Sequence, residues 1–492
     1  MTNKTKYDKI MEKMLKRAFF YPSSEIYGGF SGLYDYGSTG TRIKLKWEDY
    51  WRKHFLGLGD SFYEIQPANI MPEPVFEASG HLKEFVDPLV QCSKCGYYER
   101  ADTILEDQLK QTFEGITPEE LDQLIKKNKI TCPKCKGRLK EVTVLNLMFN
   151  FDVGIFHSVT KGYLRPETAQ GAYVCFRREY KANRERMPLG LAVIGKAYRN
   201  EISPRQGLFR MREFTQAELQ IFFDPDKINE HPRFEEVKDK KLRIVPANER
   251  DKGEQLLSCQ ELVEKGYPKF AVHYMARVQE FYESLKVPLE KFRFYEKNEQ
   301  ERAFYNLLHF DVEVFLDSFG KYTELAGFHY RGDHDLKGHQ KVSGEDMSVV
   351  KEGKRFIPHV LELSFGVDRN VFALFDIGYK EEGKRQWFSL PAFVSPWTAG
   401  IYPLVKRDGL DKKAKEIKNL LLREGIDVFY DERGSVGKRY ARADEIGVAY
   451  GITIDYDTMQ DDTVTIRFRD STEQERVNVA ELAERIKKLQ GM

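Results

Sequence analysis

Hydrophobic residues at the start of the chain recur at the spacing of an amphipathic helix. Tyr7, Ile10, Met14 and Ala18 lie three or four positions apart, so they would share one helix face. The pattern predicts a helix that ends near Pro22, because proline cannot continue it. A second helix is predicted over 41–55, and residues 61–70 are predicted to form a strand running towards Pro72 and Pro74.

Short strand patterns recur through the middle of the chain, at 190–198, 218–223, 322–326 and 359–365. They are separated by loops and polar stretches and do not alternate regularly with helices, as a doubly wound sheet requires. The pattern therefore favours an α+β fold, in which helices flank an antiparallel sheet.

Two segments interrupt this pattern and are interpreted as insertions. Residues 88–160 contain four cysteines and a predicted helix near 117–128. Residues 225–310 are rich in Lys and Glu and show helical periodicity. After Pro391 the chain alternates strand and helix patterns, with a basic loop predicted at 433–445. We expect a body of residues 1–390 and an α/β domain of residues 391–492.

Length and charge narrow the class of protein only a little. A chain of 492 residues suggests two or three domains. The 78 Lys and Arg against 77 Asp and Glu give a net charge of +1, which excludes a histone-like polycation and an acidic tail. No apolar run approaches the ~20 residues that span a bilayer, and the start lacks a signal-peptide pattern. We expect an untargeted, cytosolic protein.

Four of the six cysteines form two Cys-x-x-Cys pairs, Cys92 with Cys95 and Cys132 with Cys135. Two such pairs suit a tetrahedral zinc ion. Redox chemistry or idle thiols are the alternative. The span between the pairs exceeds that of common zinc ribbons, but a helical hairpin can bridge it.

The segment 198–223 carries the strongest chemical signal. Arg199 and Glu201 are predicted to share one strand face, and Arg210, Arg212, Phe214 and Glu218 to follow on a returning strand. Arginine forks suit phosphate oxygens and an aromatic face suits a purine, so the hairpin predicts an ATP site without a glycine-rich loop. A solvated charged hairpin is the alternative. The glycine-rich residues 25–40 lack phosphate-loop spacing and are interpreted as a packing loop.

A second segment, 359–375, supplies Glu362, Ser364, Gly366 and Arg369 at a strand-to-helix junction. Alone it could be a core strand and helix. Together, the two segments resemble motifs 2 and 3 of the class II aminoacyl-tRNA synthetases.

Over nearly the whole chain the sequence resembles the dimeric, single-chain glycyl-tRNA synthetases of the archaeal and eukaryotic type. The resemblance rests on EIYGGFSGLYDYG at 25–37, MPEPVFEASGH at 71–81, ERADTILED at 99–107, LRPETAQG at 164–171, YRNEISPRQGLFRMREFTQAE at 198–218, ELAG at 324–327 and ELSFGVDR at 362–369. It implies a class II catalytic domain at 1–390 and an anticodon-binding domain at 391–492.

The resemblance implies an ATP site in which Arg199 holds the α-phosphate, Arg210 and Arg369 hold the terminal phosphates, and these three arginines are catalytic. Glu201 would bind the adenine amine, Phe214 would stack on adenine, and Glu324 would bind magnesium. The full ATP set is Arg199, Asn200, Glu201, Phe209, Arg210, Met211, Arg212, Glu213, Phe214, Glu324, Leu325, Gly366, Val367, Asp368 and Arg369.

The resemblance also implies a glycine site. Three carboxylates would bind the ammonium group and crowd out any side chain. The set is Arg100, Glu167, Phe214, Thr215, Gln216, Ala217, Glu218, Glu362, Ser364 and Gly366. By itself, Glu167 could simply be a carboxylate at a helix N-terminus.

The implied activity is that of a homodimeric glycine–tRNA ligase, which uses ATP and Mg²⁺ and has tRNA(Gly) as its partner. Pro72 or Pro74 would lie in the dimer interface, and the zinc would be structural because some members of the family lack these cysteines. Basic residues of 433–445 would contact tRNA: Arg433, Lys438, Arg439 and Arg442. A non-catalytic nucleic-acid-binding relative and a class II ligase for another amino acid are the alternatives.

Overall fold

The computed structural model describes residues 4–111, 113, 116–155, 159–204, 207–303 and 305–491. The helices in these residues are α1 Lys6–Lys16, α2 Ser38–Leu56, α3 Glu73–Ala78, α4 His81–Glu84, α5 Ala101–Leu109, α6 Pro118–Lys127, α7 Ala169–Ala182, α8 Cys259–Glu264, α9 Lys269–Ser284, α10 His334–Ser343, α11 Val367–Gly378, α12 Leu410–Arg423, α13 Val436–Glu445, α14 Thr458–Asp461 and α15 Val479–Leu489.

The strands of the first half are β1 Phe20–Pro22, β2 Tyr34–Tyr36, β3 Phe62–Glu64, β4 Ile70–Pro72, β5 Val86–Gln91, β6 Tyr98–Arg100, β7 Thr143–Asn146, β8 Asn150–Val153, β9 Thr160–Leu164, β10 Leu189–Tyr198 and β11 Glu213–Phe223. Those of the second half are β12 Lys241–Val245, β13 Gln255–Ser258, β14 Phe292–Glu296, β15 Leu308–Leu316, β16 Lys321–Gly332, β17 Val349–Lys351, β18 Lys354–Phe356, β19 His359–Gly366, β20 Tyr379–Glu382, β21 Arg385–Phe388, β22 Ala399–Pro403, β23 Val428–Tyr430, β24 Tyr450–Ile454, β25 Thr463–Phe468 and β26 Gln474–Asn478.

A nine-stranded sheet organises the larger part of the chain, in the order β13-β12-β14-β15-β16-β19-β11-β10-β3. The run from β14 to β10 is antiparallel throughout. Only the outer pairs β12–β14 and β10–β3 are parallel. The predicted antiparallel sheet with flanking helices is therefore confirmed.

The two faces of this sheet differ in character. Along β11, Ala217, Leu219 and Ile221 join the main hydrophobic core together with Trp47 and Trp51 of α2. Gln216, Glu218 and Gln220 alternate with them and are also buried. Because successive side chains of a strand point to opposite faces, one face of the sheet packs against the core and the other buries polar groups.

The glycine-rich segment predicted to be a packing loop leads into α2, which begins earlier than expected, at Ser38. A Cβ atom on Gly37 would lie 2.3 Å from the carbonyl oxygen of Ala18, and one on Gly40 would lie 1.9 Å from that of Phe19. These two glycines let α2 approach the preceding chain closely, as a packing role requires.

Three sequence predictions of local structure need correction. Residues 61–70 form two short strands, β3 and β4, because Pro67 lies between them and cannot donate to a sheet. Residues 225–310 are not simply helical, since β12, β13 and β14 extend the large sheet. Residues 436–445 of the predicted basic loop are helix α13, whereas the helix predicted near 117–128 is confirmed as α6.

The residues after Ala399 form a second sheet with its own hydrophobic core. Its strand order is β23-β22-β24-β25-β26, and α12 and α15 contribute Leu421 and Leu482 to the core. Asp444, near the end of α13, accepts hydrogen bonds from Arg467 of β25 and from Arg385 of β21. This buried carboxylate therefore ties the second unit to the larger one. Among the described residues, none of the helices combines the length and apolar character needed to cross a bilayer.

Candidate active site

A pocket opens on the polar face of the large sheet, where β11, β16 and β19 carry Glu218, Glu324 and Glu362. Its lining is Glu167, Arg199, Glu201, Leu208, Phe209, Arg210, Met211, Phe214, Thr215, Gln216, Glu218, Tyr305, Glu324, Leu325, Ala326, Gly327, His329, Glu362, Ser364, Gly366, Asp368 and Arg369. Most of the residues predicted from the sequence for an ATP or glycine site meet in this pocket. Arginines line one end and carboxylates the other.

Each arginine of the basic end is held by a neighbouring acceptor. Arg199 donates from Nε to the carbonyl oxygen of Pro166 at 3.1 Å, and its guanidinium lies 5.2 Å from the ring centre of Phe214. Arg369 donates to the Glu324 carboxylate at 2.9 Å. Arg210 donates from Nε to Glu201 at 2.6 Å.

The local geometry of this end differs from the predicted hairpin. β10 ends at Tyr198 and β11 begins at Glu213, so Arg199, Glu201 and Arg210 lie in the connecting segment and not on strands. Their positions come from hydrogen bonds. The Arg199 backbone N–H, for example, donates to the carbonyl oxygen of Arg212 at 2.9 Å.

Glu218 is the most confined carboxylate of the acidic end. It accepts hydrogen bonds from Thr168 at 2.6 Å, Ser364 at 2.5 Å and Gln216 at 2.9 Å. Burial raises the pKa of Glu218 to about 7, reinforced by the nearby carboxylates of Glu362 and Glu167 and opposed by the hydroxyl donors. Near neutral pH this carboxyl is therefore partly protonated.

Glu362 is equally buried but remains ionised. Its Oε2 atom accepts from Gln220 at 2.7 Å and from Arg331 at 3.1 Å, and His329 contacts Oε1 at 2.5 Å. Burial alone would raise the pKa of this carboxyl, but the charge of Arg331 and the hydrogen bond from His329 bring it down to about 2.

Glu167 completes the acidic end, directly before α7. Gln170 donates to it at 3.0 Å, and His81 and Arg331 lie 3.6 Å and 3.8 Å away. Burial opposes ionisation of Glu167, yet the pKa of this carboxyl is lowered because His81 and Arg331 stabilise its charge. The three predicted glutamates therefore do converge on one pocket.

Arg331 is the central residue that the sequence predictions missed. It is 2% exposed, forms two hydrogen bonds with the buried Asp335 at 2.8 Å and 3.0 Å, and stacks 4.2 Å from the ring centre of Tyr305. It lies where the pairing of β16 with β19 shifts register, as in a β-bulge that redirects a side chain. The only signal in the sequence was its place shortly after the ELAG motif.

Six predicted residues do not line the pocket. Ala217 and Val367 are buried in the hydrophobic core on the other side of the sheet. Glu213 pairs with Lys196 at the surface, and Asn200 and Arg212 line a neighbouring depression. Arg100 is bound by Asp87 and Asp102. Asp87 also lies 3.6 Å from Arg210, so Arg100 reaches the site only through another residue.

The four predicted cysteine ligands, which belong to the segment 88–160, are brought together in space. Their sulfur atoms all lie within 4.8 Å of one another, with Cys92 and Cys135 3.5 Å apart and Cys95 and Cys132 3.7 Å apart. Four sulfurs around a zinc ion are separated by about 3.8 Å, given Zn–S bonds of about 2.3 Å. Backbone N–H groups aimed at Cys92 lower the pKa of its thiol to about 6. The donor set therefore fits zinc.

The basic residues of 433–445 divide into two groups. Arg439 is buried and donates to the carbonyl oxygens of Gly434 and Pro403, and Arg442 pairs with Asp431. Arg433 and Lys438 are exposed near the start of α13. Only this second pair offers freely accessible positive charge.

Comparisons with known proteins place this fold and site in one enzyme class. Residues 157–239 match the family described as "tRNA synthetase class II core domain (G, H, P, S and T)". Residues 398–489 match the family described as "Anticodon binding domain". The antiparallel sheet with its arginine-lined pocket, followed by such a domain, defines a class II aminoacyl-tRNA synthetase.

Full-length relatives identify the family within that class. The chain is 40% identical to a glycine–tRNA ligase of Thermococcus sibiricus, over 98% of both chains. It is 38% identical to that of Pyrococcus furiosus, over 98% of this chain and 99% of the relative. It is 36% identical to that of Methanothermobacter thermautotrophicus, over 99% of both. The chain belongs to the glycine–tRNA ligase family.

The raised pKa of Glu218 predicts a pH-dependent cost to stability. An ordinary glutamate ionises near pH 4.5, whereas Glu218 keeps its proton to about pH 7. Between these values the unfolded chain binds fewer protons than the folded one, so this group makes the protein less stable as pH rises from about 4.5 to 7. Glutamine cannot ionise. The unfolding free energy of Glu218→Gln minus that of wild type should therefore increase by about 1–3 kcal/mol between pH 5 and pH 8.

Urea unfolding of both proteins at the two pH values measures this difference. Glu484→Gln, at an exposed position of α15 far from the pocket, is the control and should show no such growth. An equal pH response of the two variants would contradict the assignment.

Proposed function

We propose that this chain activates glycine with ATP to form glycyl-adenylate and transfers the glycyl group to the 3′ end of tRNA(Gly). The observation that carries this proposal is the polarity of the pocket, which joins an arginine end to an end with three buried carboxylates. A triphosphate suits the first end and a small ammonium group suits the second. The membership of the glycine–tRNA ligase family supports both assignments.

In the ATP subsite, Arg199 would bind the α-phosphate, while Arg210 and Arg369 would bind the terminal phosphates. Arg210 and Arg369 are paired with Glu201 and Glu324. These carboxylates hold the guanidinium groups near the positions where phosphate oxygens would bind. ATP would release Glu201 to accept from the adenine amine and Glu324 to bind Mg²⁺, which would neutralise phosphate charge.

The walls of this subsite suit an adenine ring. Phe214 would stack on the base, and Phe209, Met211 and Leu325 supply apolar surface in the same pocket. Asp368 would act indirectly. It accepts hydrogen bonds from the Thr215 backbone N–H at 2.6 Å and from the Tyr36 hydroxyl at 2.7 Å, which fixes the backbone beside Phe214.

In the glycine subsite, Glu167, Glu218 and Glu362 would surround the ammonium group. Arg331 keeps two of these carboxylates ionised, and Ser364 orients the third. Gly366 and Gln216 complete the lining. Burying several charges around a small cation is favourable only when the cation is present, so the pocket would prefer a ligand with a bare ammonium group.

Catalysis by this site would need no nucleophile from the protein. The glycine carboxylate attacks the α-phosphorus in line, pyrophosphate leaves, and the 3′-terminal hydroxyl of tRNA then takes the glycyl group from the adenylate. The protein positions the reactants and neutralises charge through Arg199, Arg210 and Arg369.

Glycine-dependent exchange of pyrophosphate into ATP tests the proposed activation step. Arg199→Ala should lower the exchange rate by about two orders of magnitude or more, because charge stabilisation at the α-phosphate is lost. Arg423→Ala, at an exposed position in the terminal domain, is the control and should retain the wild-type rate.

The same assay separates the alternatives. If no amino acid supports pyrophosphate exchange by the wild type, the chain is a non-catalytic relative. If an amino acid other than glycine supports it, the chain is a different ligase. Retained exchange in Arg199→Ala would refute the role of this arginine. Aminoacylation of tRNA transcripts that differ in anticodon and discriminator base then tests the second step.

Residues 1–390 would form the catalytic domain and residues 391–492 the anticodon-binding domain. In the second domain we assign tRNA contact to Arg433 and Lys438, which are exposed, and not to Arg439 and Arg442, whose guanidinium groups are used within the fold. Phosphate contacts by such residues make binding weaken as salt concentration rises.

Zinc would occupy the four-cysteine site and hold the insertion in place. It would link the Cys92–Cys95 turn, which follows β5, to the Cys132–Cys135 turn, which follows α6. Protein purified without added zinc should contain about one zinc per chain, as four thiolates require, measured by elemental analysis. Cys135→Ser should lose this metal and Cys175→Ser should keep it. Metal-free wild-type protein with four titratable thiols at this site would contradict the assignment.

A homodimer would cover an apolar surface that the single chain exposes. Ile26, Tyr27 and Phe30 of the glycine-rich loop are 88%, 86% and 60% exposed, and Pro72 and Pro74 are exposed as well. Large apolar side chains that are exposed together in one loop are often covered in protein interfaces.

Sedimentation equilibrium tests this assembly. Wild type should have the mass of two chains, and the double change Ile26→Asp and Tyr27→Asp should shift it towards one chain. Leu422→Asp, an exposed leucine of α12, is the control and should leave the mass unchanged. A monomeric wild type would refute the dimer.

A further inference from the structure

His329 lies on β16 opposite Glu362 of β19 and lines the acidic end of the pocket. We propose that His329 determines amino acid specificity in this pocket, by orienting the Glu362 carboxylate and by filling the space that a substrate side chain would need. The inference rests on the proposed activation of glycine and names a residue that determines its selectivity.

The hydrogen bonds of Glu362 show what His329 contributes. Oε2 accepts from both Gln220 and Arg331, at 2.7 Å and 3.1 Å. Oε1 accepts from His329 at 2.5 Å and has only a long contact of 3.4 Å with Arg331. An ionised carboxylate accepts only, so Nδ1 of His329 must be the donor. Oε1 is therefore the oxygen with a lone pair left for an ammonium group, and His329 sets its direction.

The position of the ring is fixed by its contacts. A Cβ atom built on Gly327 would lie 2.4 Å from Cε1 and 2.7 Å from Nε2 of His329. The ring thus lies directly on the backbone of residue 327, where only glycine leaves it room. On another side the His309 ring packs at right angles, with centres 4.4 Å apart, and His309 is itself held by Asp311 at 3.1 Å.

This arrangement places a rigid ring on the pocket floor. Gly327 pairs with Ser364, and the Ser364 hydroxyl donates to Glu218. The ring, which lies against Gly327 and donates to Glu362, is therefore close to both of these carboxylates. The three carboxylates hold the ammonium group and already crowd the space around it. The imidazole adds bulk on the His329 side of the pocket, where a substrate methyl group would have to fit. Excluding one methyl group sterically is worth about 10- to 200-fold in selectivity.

Two substitutions separate the two roles. His329→Asn keeps a donor at the position of Nδ1 but removes most of the ring. His329→Phe keeps a ring but removes the donor. We expect His329→Asn to raise the ratio of alanine to glycine in kcat/KM by about tenfold or more, with the KM for glycine little changed. We expect His329→Phe to raise the KM for glycine by about tenfold, as loss of a charged hydrogen bond does, with alanine still rejected.

Amino acid-dependent pyrophosphate exchange by the full chain measures both quantities, and the KM for ATP serves as an internal control. His231→Asn, a histidine outside the pocket, should match wild type throughout. If wild type activates glycine but both variants keep its KM for glycine and its selectivity, the inference is refuted. It is also refuted if the variants lose ATP and glycine binding together without a change in selectivity, since that indicates a structural role only. A wild type inactive with glycine would refute the proposed function itself.

Discussion

The buried charge of Arg331 is the interaction on which the polar face of the sheet depends. Three glutamates and Asp335 are buried within reach of one another, and isolated carboxylates in such a place would take up protons. Arg331 pairs with Asp335 and Glu362 and lies near Glu167, and its charge helps to lower the pKa of the Glu167 and Glu362 carboxyls. Glu218 has no contact with the guanidinium, and it is the one whose pKa rises.

The same constraint explains why the site is built on strands. β11, β16 and β19 are adjacent in the sheet, and their register places His329 opposite Glu362 and Ser364 opposite Glu218. The opposite face is filled by large side chains such as Trp47 and Phe365. A close-packed core resists small displacements, so the hydrogen-bond distances on the polar face are maintained by packing on the other.

The sequence predicted the fold class, the main strands and most of the pocket because their residues lie in short, distinctive motifs. Glu167, Glu218 and Glu362 were all found in this way. Arg331 and His329 were not, since their roles arise from the pairing of β16 with β19 and from a shift in that register, which no local pattern reveals. Arg100 was assigned to the glycine site through the resemblance alone, and in the structure its guanidinium forms ion pairs with Asp87 and Asp102. The helical form of 436–445 was missed because its charged residues suggested a loop, although several of their side chains are bound within the domain.

Burial distinguishes the ion pairs that support the fold from those that a ligand can exchange. Arg331 and Asp335 are 2% and 1% exposed, and removing one partner would leave the other charge buried at a cost of about 3–5 kcal/mol. Arg369 and Glu324 are 35% and 46% exposed, and pairs of this kind contribute about 0–1 kcal/mol. Triphosphate oxygens could replace Glu324 at little cost. One end of the pocket is therefore held by deeply buried ion pairs, and the other includes a much more exposed pair. The net charge of +1 reveals neither kind of pair, because Arg210, Arg331 and Arg369 each have a carboxylate partner.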